Sequence, residues 1–230
     1  MKAVAIIAAA GAGLRMKSVA RKQYLVLEGI PILARSIKLF LEHPAFTEII
    51  VVIPPGDDKV VRELLGPYFS LDRLKLVEGG ATRQVSVGNG LKAISAEAKL
   101  VAIHDAARPL ATPCLLALLL DSAAHWGAAI PVIQLTDTLK EVDDAGFVQA
   151  TPARGKLRLV QTPQVFKRDL LEKAYQTFQD AGGKATDDAA LVELLGEPVI
   201  TVPGEQSNFK ITSPLDLILA SLMLKGAGSG

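Results

Sequence analysis

The sequence predicts an α/β fold, a Rossmann-like three-layer sandwich with a mostly parallel sheet and a protruding β-hairpin arm. Short β-branched runs alternate with helix-periodic stretches along most of the 230 residues, the pattern of a layered α/β domain. The first two runs are almost continuously apolar, as parallel strands covered on both faces require. One stretch after residue 136 breaks the alternation, with two polar–apolar runs around a cluster of turn residues.

Val4-Ala5-Ile6-Ile7 is the first strand. Leu33, Ile37, Phe40 and Leu41 then recur at helical spacing and make one apolar stripe. Glu48–Ile53, Leu74–Val77 and Leu100–Ile103 are the following strands. Thr112-Pro113 and Ser213-Pro214 each pair a capping hydroxyl with proline at the first helical position. Thr186-Asp187-Asp188 places a cap and two carboxylates at a further helix start, where the helix dipole favours them. Cys114 is the single cysteine and stands in the apolar run Cys114-Leu115-Leu116-Ala117-Leu118, which reads as a buried helix thiol.

Asp137–Val142, the turn Asp143-Asp144-Ala145-Gly146 and Phe147–Ala150 read as a β-hairpin. With Lys156–Gln161 as a returning strand it forms an arm, about 137–160, outside the main sheet. An isolated hairpin is marginal in water, so a partner subunit is the expected support. No linker divides the chain, which reads as one domain over 1–225 followed by a flexible tail, 226–230.

Half the residues are hydrophobic, enough to bury a core without disulfides or structural metal. The net charge of +1 offers no global attraction to nucleic acid or an acidic membrane, so an anionic substrate must be met by local cations. The first apolar run is too short for a signal-peptide core, and nothing approaches a membrane span. A cytoplasmic protein binding neither nucleic acid nor membrane is expected. His43 and His125 lack metal-ligand spacing, and His104 reads as a packing or hydrogen-bonding residue.

In open parallel sheets ligands sit beyond the carboxyl ends of the strands. That rule selects the loop after Ile7, the Glu78-Gly79-Gly80 turn and His104–Pro109. The first loop, Ala8-Ala9-Ala10-Gly11-Ala12-Gly13-Leu14-Arg15-Met16, combines small residues with a guanidinium suited to phosphate, and Lys22 follows. Glycines at such a place serve either a packed turn or an anion cradle. The dinucleotide fingerprint fails because Met16 stands where a third glycine is needed, and Ile53 is followed by Pro54-Pro55 rather than an acidic residue. A Walker A loop fails because no Gly-Lys-Ser/Thr follows. Small residues, Gly-x-Gly, Arg15 and Lys22-Gln23-Tyr24 remain, and together they resemble the signature of sugar-phosphate nucleotidyltransferases.

Later motifs narrow that resemblance. Glu78-Gly79-Gly80-Ala81-Thr82-Arg83-Gln84-Val85-Ser86-Val87, His104–Pro109, Asp137-Thr138, Thr162-Pro163-Gln164, Thr186-Asp187 and Asn208–Thr212 look, in order, like the cytidylyltransferases of the IspD family. The match runs from about Ala3 to Leu219. It implies transfer from CTP to 2-C-methyl-D-erythritol 4-phosphate, with Mg²⁺ or another divalent cation, in the non-mevalonate route to isoprenoids. It implies Arg15 and Lys22 as the catalytic cations. Ala9, Ala10, Gly11 and Gly13 would line the nucleotide; Gly80, Ala81 and Ser86 would read cytosine; Asp105 and Ala106 would stand near ribose and metal-bound phosphate. Thr138, Arg154, Thr186 and Lys210 would position the acceptor, the first two across a homodimer joined by the arm.

Two positions depart from the family pattern: Arg21 replaces a frequent proline and Ala81 a frequent aspartate. Asp105 also reads as a turn cap, and Arg108 as an ion-pair partner. A ribitol 5-phosphate cytidylyltransferase and a nucleotide-binding module without catalysis are the competing readings.

Overall fold

In β1 (Ala3–Ala8), Ala3, Ala5 and Ile7 pack into one apolar cluster while Val4 and Ile6 pack into another. A strand that buries both alternating faces belongs in the middle of a sheet covered on each side. The computed structural model of the chain describes residues 1–11, 21–95, 97–181 and 185–227. After β1 come a 3-10 turn at Lys22–Tyr24, the short pair β2 (Val26–Leu27) and β3 (Ile30–Pro31), α1 (Ile32–Leu41) and β4 (Phe46–Ile53). Then follow α2 (Asp58–Leu65), β5 (Leu74–Glu78), α3 (Arg83–Lys92), β6 (Leu100–Asp105), α4 (Pro113–Trp126) and β7 (Ala128–Gln134). The arm region holds β8 (Glu141–Val142), β9 (Val148–Ala150), a 3-10 turn at Arg154–Lys156 and β10 (Arg158–Val160). The chain continues with β11 (Gln164–Lys167), α5 (Arg168–Ala181), α6 (Ala189–Leu194), β12 (Ile200–Pro203) and α7 (Pro214–Ala227).

The main sheet has the order β10-β7-β11-β6-β1-β4-β5, with β12 also paired to β7. β6, β1, β4 and β5 run parallel, whereas β11 is antiparallel to β6 and β7. One face is covered by α1, α2 and α4 through residues such as Leu33, Phe40, Val61, Leu116 and Leu119. The other is covered by α3, α5 and α6 through Val87, Leu91, Leu171, Tyr175 and Val192. This is the three-layer α/β architecture expected from the alternating pattern.

Helix starts follow their caps with one exception. Thr112 Oγ1 accepts from Leu115 N at 3.2 Å, and Ser213 Oγ from Asp216 N at 3.3 Å. At Thr186-Asp187-Asp188 the capping carboxylate is Asp187, whose Oδ1 accepts from Ala190 N at 3.0 Å. Asp188, expected to share that duty, points its carboxylate to Arg83 and Tyr175 instead.

Two expectations are corrected. Cys114 is exposed. On α4 it shares a wet face with Ala117, Leu118 and Asp121, while Leu115, Leu116, Leu119, Leu120 and Ala123 form the buried stripe. The strand returning from the arm does not stay outside the main sheet: Arg158, Leu159 and Val160 pair antiparallel with Gln134, Ile133 and Val132 of β7. The hairpin itself is β8 against β9. Its turn is closed by Asp143, whose Oδ1 accepts from the N–H groups of Ala145 and Phe147, and by Gly146 at φ +87°, a conformation only glycine adopts freely. α7 carries the chain through Gly226 to Ala227; residues 228–230 lie outside the described part.

Candidate active site

A cavity of about 560 Å³ opens beyond the carboxyl ends of β1 and β6, where a parallel sheet offers its natural crevice. Of the residues singled out in the sequence, Ala9, Ala10, Gly11, Lys22, Gly80, Ala81, Ser86, Asp105, Ala106 and Lys210 line it. Gly13 and Arg15 lie outside the described residues. Thr138 and Arg154 are exposed on the arm, and Thr186 is exposed on the segment before α6; none of these three lines the cavity. The structure thus gathers the nucleotide-side residues and Lys210, and leaves the arm residues apart from them within one chain.

The start of the first loop, at Ala9 and Gly11, is held from two sides. Ala9 N donates to Val52 O at 2.8 Å, extending the sheet beyond β1. The Gln23 side chain, 2% exposed, donates from Nε2 to the carbonyls of Ala9 at 2.6 Å and Gly11 at 3.3 Å. Gln23 was only part of a motif in the sequence, which carries no signal that this amide is buried. Its neighbour Lys22 donates from Nζ to Ile211 O at 3.2 Å, bringing an ammonium next to Lys210 and Thr212. Arg21 pairs with an acid: its Nε stands 3.1 Å from Asp57 Oδ2, and Tyr24 donates to the same oxygen at 2.8 Å. Burial, then the bond to Asp57, raises the Tyr24 pKa and keeps the phenol protonated.

The second wall is the turn between β5 and α3. A Cβ at Gly79 would stand 2.4 Å from Ala10 Cβ, and one at Gly80 2.2 Å from Val85 Cγ1, so both positions exclude a side chain. Ser86 Oγ accepts from Gly80 N at 3.0 Å and donates to Thr82 O at 2.8 Å, which spends the hydroxyl on the shape of the turn. Thr82 caps α3 through Oγ1, accepting from Val85 N at 3.1 Å.

The third wall carries the charge. Asp105 ends β6, with its side chain 11% exposed, among three cations: Lys210 Nζ at 2.8 Å and the Nε atoms of Arg83 and Arg108 at 3.6 Å each. Burial alone would raise its carboxyl pKa. The charges of Lys210, Arg83 and Arg108, with the Lys210 hydrogen bond, outweigh burial and hold it well below the usual carboxylate range. Arg108 also donates from Nη1 to Asn208 O at 2.7 Å, so it is an ion-pair partner that ties the Lys210 segment to β6.

His104, fully buried, is committed to structure. Thr162 Oγ1 accepts from Asp105 N at 3.0 Å and lies 3.1 Å from His104 Nδ1; His104 Nε2 lies 3.0 Å from Arg108 O. A carbonyl can only accept, so the proton sits on Nε2 and Nδ1 accepts from Thr162. Burial pushes the imidazole down to about 4.

Among the described residues no three His, Cys, Asp or Glu side chains cluster as a metal site, and Asp105 is the one carboxylate lining the cavity. This donor set suits a hard divalent cation that arrives on phosphate oxygens and takes one protein oxygen at most. No helix among the described residues is long and apolar enough to cross a membrane.

Known proteins resemble this chain over nearly its whole length. The family described as IspD: 2-C-methyl-D-erythritol 4-phosphate cytidylyltransferase matches residues 3–226. A 2-C-methyl-D-erythritol 4-phosphate cytidylyltransferase of Desulforamulus reducens is 44% identical over 96% of this chain and 95% of its own. Among solved structures, the enzyme of that name from Thermus thermophilus superposes with a TM-score of 0.81 at 37% identity, covering 98% of this chain and 100% of that one. The 4-diphosphocytidyl-2C-methyl-D-erythritol synthase of Anaerococcus prevotii superposes at 0.84 with 33% identity, over 97% and 98%. The chain belongs to the IspD family of cytidylyltransferases.

Proposed function

We propose that this chain joins CTP to 2-C-methyl-D-erythritol 4-phosphate, giving 4-diphosphocytidyl-2-C-methyl-D-erythritol and pyrophosphate, in isoprenoid precursor synthesis. Family membership supports the substrates. The observation that carries the chemistry is the cavity itself: small residues and backbone on one wall, and Lys22, Arg83 and Lys210 converging with Asp105 on the others.

The acceptor phosphate is a dianion near neutral pH, since its second pKa is about 6, and needs no general base. In keeping with this, the buried imidazole of His104 is occupied by Arg108 and Thr162. An acceptor phosphate oxygen attacks the α-phosphorus in line. The new P–O bond forms as the bond to the β-phosphate oxygen breaks, and pyrophosphate leaves with the electron pair. The obstacle is the approach of two polyanions, so positioning and charge neutralisation supply the rate. In our reading Arg15 and Lys22 meet the triphosphate and the charge developing on it. Ala9, Ala10, Gly11 and Gly13 let the nucleotide approach the backbone. Gly80, Ala81 and Ser86 shape the cytosine end, and with alanine at position 81 the base is read by backbone groups. Ala106 and Asp105 stand beside ribose and phosphate. Mg²⁺, carried on phosphate oxygens with Asp105 as a contributor, would neutralise charge as the phosphates meet.

Lys210 and Thr186 hold the acceptor from this chain, and Thr138 and Arg154 from a second copy. The arm supports a homodimer because it exposes Phe147 (71%), Val148 (58%) and Val142 (55%), an apolar surface that water disfavours. We place the enzyme in the cytoplasm. The relatives named above favour methylerythritol phosphate over ribitol 5-phosphate as acceptor. The test is pyrophosphate release from CTP and Mg²⁺ with each acceptor in turn. Faster turnover on ribitol 5-phosphate overturns the substrate, and no turnover on either overturns catalysis.

A further inference from the structure

We propose that Arg83 is a positioning residue that locks the acceptor side of the cavity to the nucleotide side. The inference rests on the reading of Asp105, Lys210 and Thr186 given above. Arg83 is the first residue of α3, next to the Gly80–Thr82 turn. Its guanidinium bridges two carboxylates from different parts of the fold. Nη2 donates to Asp188 Oδ2 at 2.6 Å, and Nε stands 3.6 Å from Asp105 Oδ1. The other oxygen of Asp105 is the one held by Lys210 at 2.8 Å. The other oxygen of Asp188 accepts from the Tyr175 hydroxyl at 2.5 Å. A chain of contacts therefore runs from the neutral Tyr175 phenol through the alternating charges Asp188–Arg83–Asp105–Lys210.

Asp188 has no solvent exposure, and Arg83 is the cation that reaches it. A second tie follows immediately on α3: Gln84 Nε2 donates to Ala185 O. The first two residues of the nucleotide-side helix thus grip both ends of 185–188, the segment that carries exposed Thr186.

Stability alone is a weak reason for such a pair, because a buried ion pair often adds little net over apolar residues of equal volume. The arrangement is also not optimised for satisfaction, since Arg83 Nη1 is buried without a hydrogen-bond partner among the described residues. What the fork does achieve is geometric: one planar group fixes the direction of two carboxylates at once, which lysine cannot do. Arg83 acts through Thr186 and through the Asp105–Lys210 pair, and need not touch either substrate.

The experiment compares Asp188→Asn, Arg83→Lys, Arg83→Gln and the double variant Arg83→Gln/Asp188→Asn, measuring KM for each substrate separately alongside thermal melting. Asp188→Asn strands a buried guanidinium and can lose fold; the double variant removes both charges and keeps the test open. We expect each single variant to raise the acceptor KM about tenfold or more and the CTP KM less than about threefold. The double variant should be no worse than the poorer single, because both residues act through one contact. Equal rises in both KM values, lower melting temperatures with both KM values unchanged, or additive effects in the double variant overturn the proposal. Thr186→Val is run in parallel: an unchanged acceptor KM there removes Thr186 from the acceptor site and leaves the Arg83 result readable through Lys210.

Discussion

His104 makes the fold sensitive to mild acid. Its imidazole is fully buried and neutral, with Nε2–H given to Arg108 O and Nδ1 accepting from Thr162. In the unfolded chain it takes a proton near 6.5, in the folded protein at about 4. As pH falls below 6.5 the unfolded state binds its proton first, so stability declines through the interval and levels off below about 4. Above 6.5 neither state changes and the contribution is fully present. At about 1.36 kcal/mol per pH unit the whole interval is worth about 3 kcal/mol, most of it lost by pH 4.5. Asp105, whose folded pKa is depressed, loses its contribution only as pH falls below the ordinary carboxylate range, so the two windows separate. The assay is urea unfolding of the wild type and of His104→Gln, from about pH 7 to pH 4.5. Glutamine keeps a donor for Arg108 O but does not titrate. Its stability should change less across the window, by about 2–3 kcal/mol. Parallel curves for the two proteins would refute the buried neutral imidazole.

Lys22→Ala should lower turnover by about 10²–10³ while CTP binding falls less, as removal of a group that meets developing charge does; transient kinetics beside CTP titration checks it. Gly79→Ala sets a Cβ 2.4 Å from Ala10 Cβ and should cost about 1–3 kcal/mol and weaken CTP binding, read by calorimetry and chemical unfolding. Arg154→Ala should raise the acceptor KM with little change for CTP. Mixed with Lys22→Ala at limiting acceptor, it should give more activity than the two variants sum to, because in the proposed dimer one site of each mixed pair would be intact. No recovery on mixing would remove the arm from the neighbouring site.

The strands β1, β4 and β6 were legible because each is a nearly unbroken apolar run, and burial on both faces leaves almost no polar phase to confuse; the edge strand β5 was legible instead from the alternation Leu74-Lys75-Leu76, with Lys75 exposed. Cavity residues on loops that follow those strands were legible for the same reason: the strand ends are where a parallel sheet must bind. Cys114 was misread because α4 starts with apolar residues all round, and only Asp121, seven positions on, marks the wet face. The partners of Asp188 were invisible, since Arg83 is 105 residues away and no local pattern encodes so distant a pair. The return strand was misplaced because Leu157 and Leu159 alternate equally well for a free arm and for a sheet edge; only the register with β7 decides.

That register gives the arm a closed base. The chain leaves the sheet after Gln134 and re-enters opposite it at Arg158, so 135–157 departs and returns through one three-residue clasp. Lengthening a loop whose ends are already held costs little, about 0.6 kcal/mol for each doubling. The insertion is therefore a replaceable cassette. Grafting the 135–157 segment of a relative with a different acceptor should change the arm's share of acceptor binding and the choice of partner together, while Thr186, Lys210 and the nucleotide chemistry stay with the host sheet.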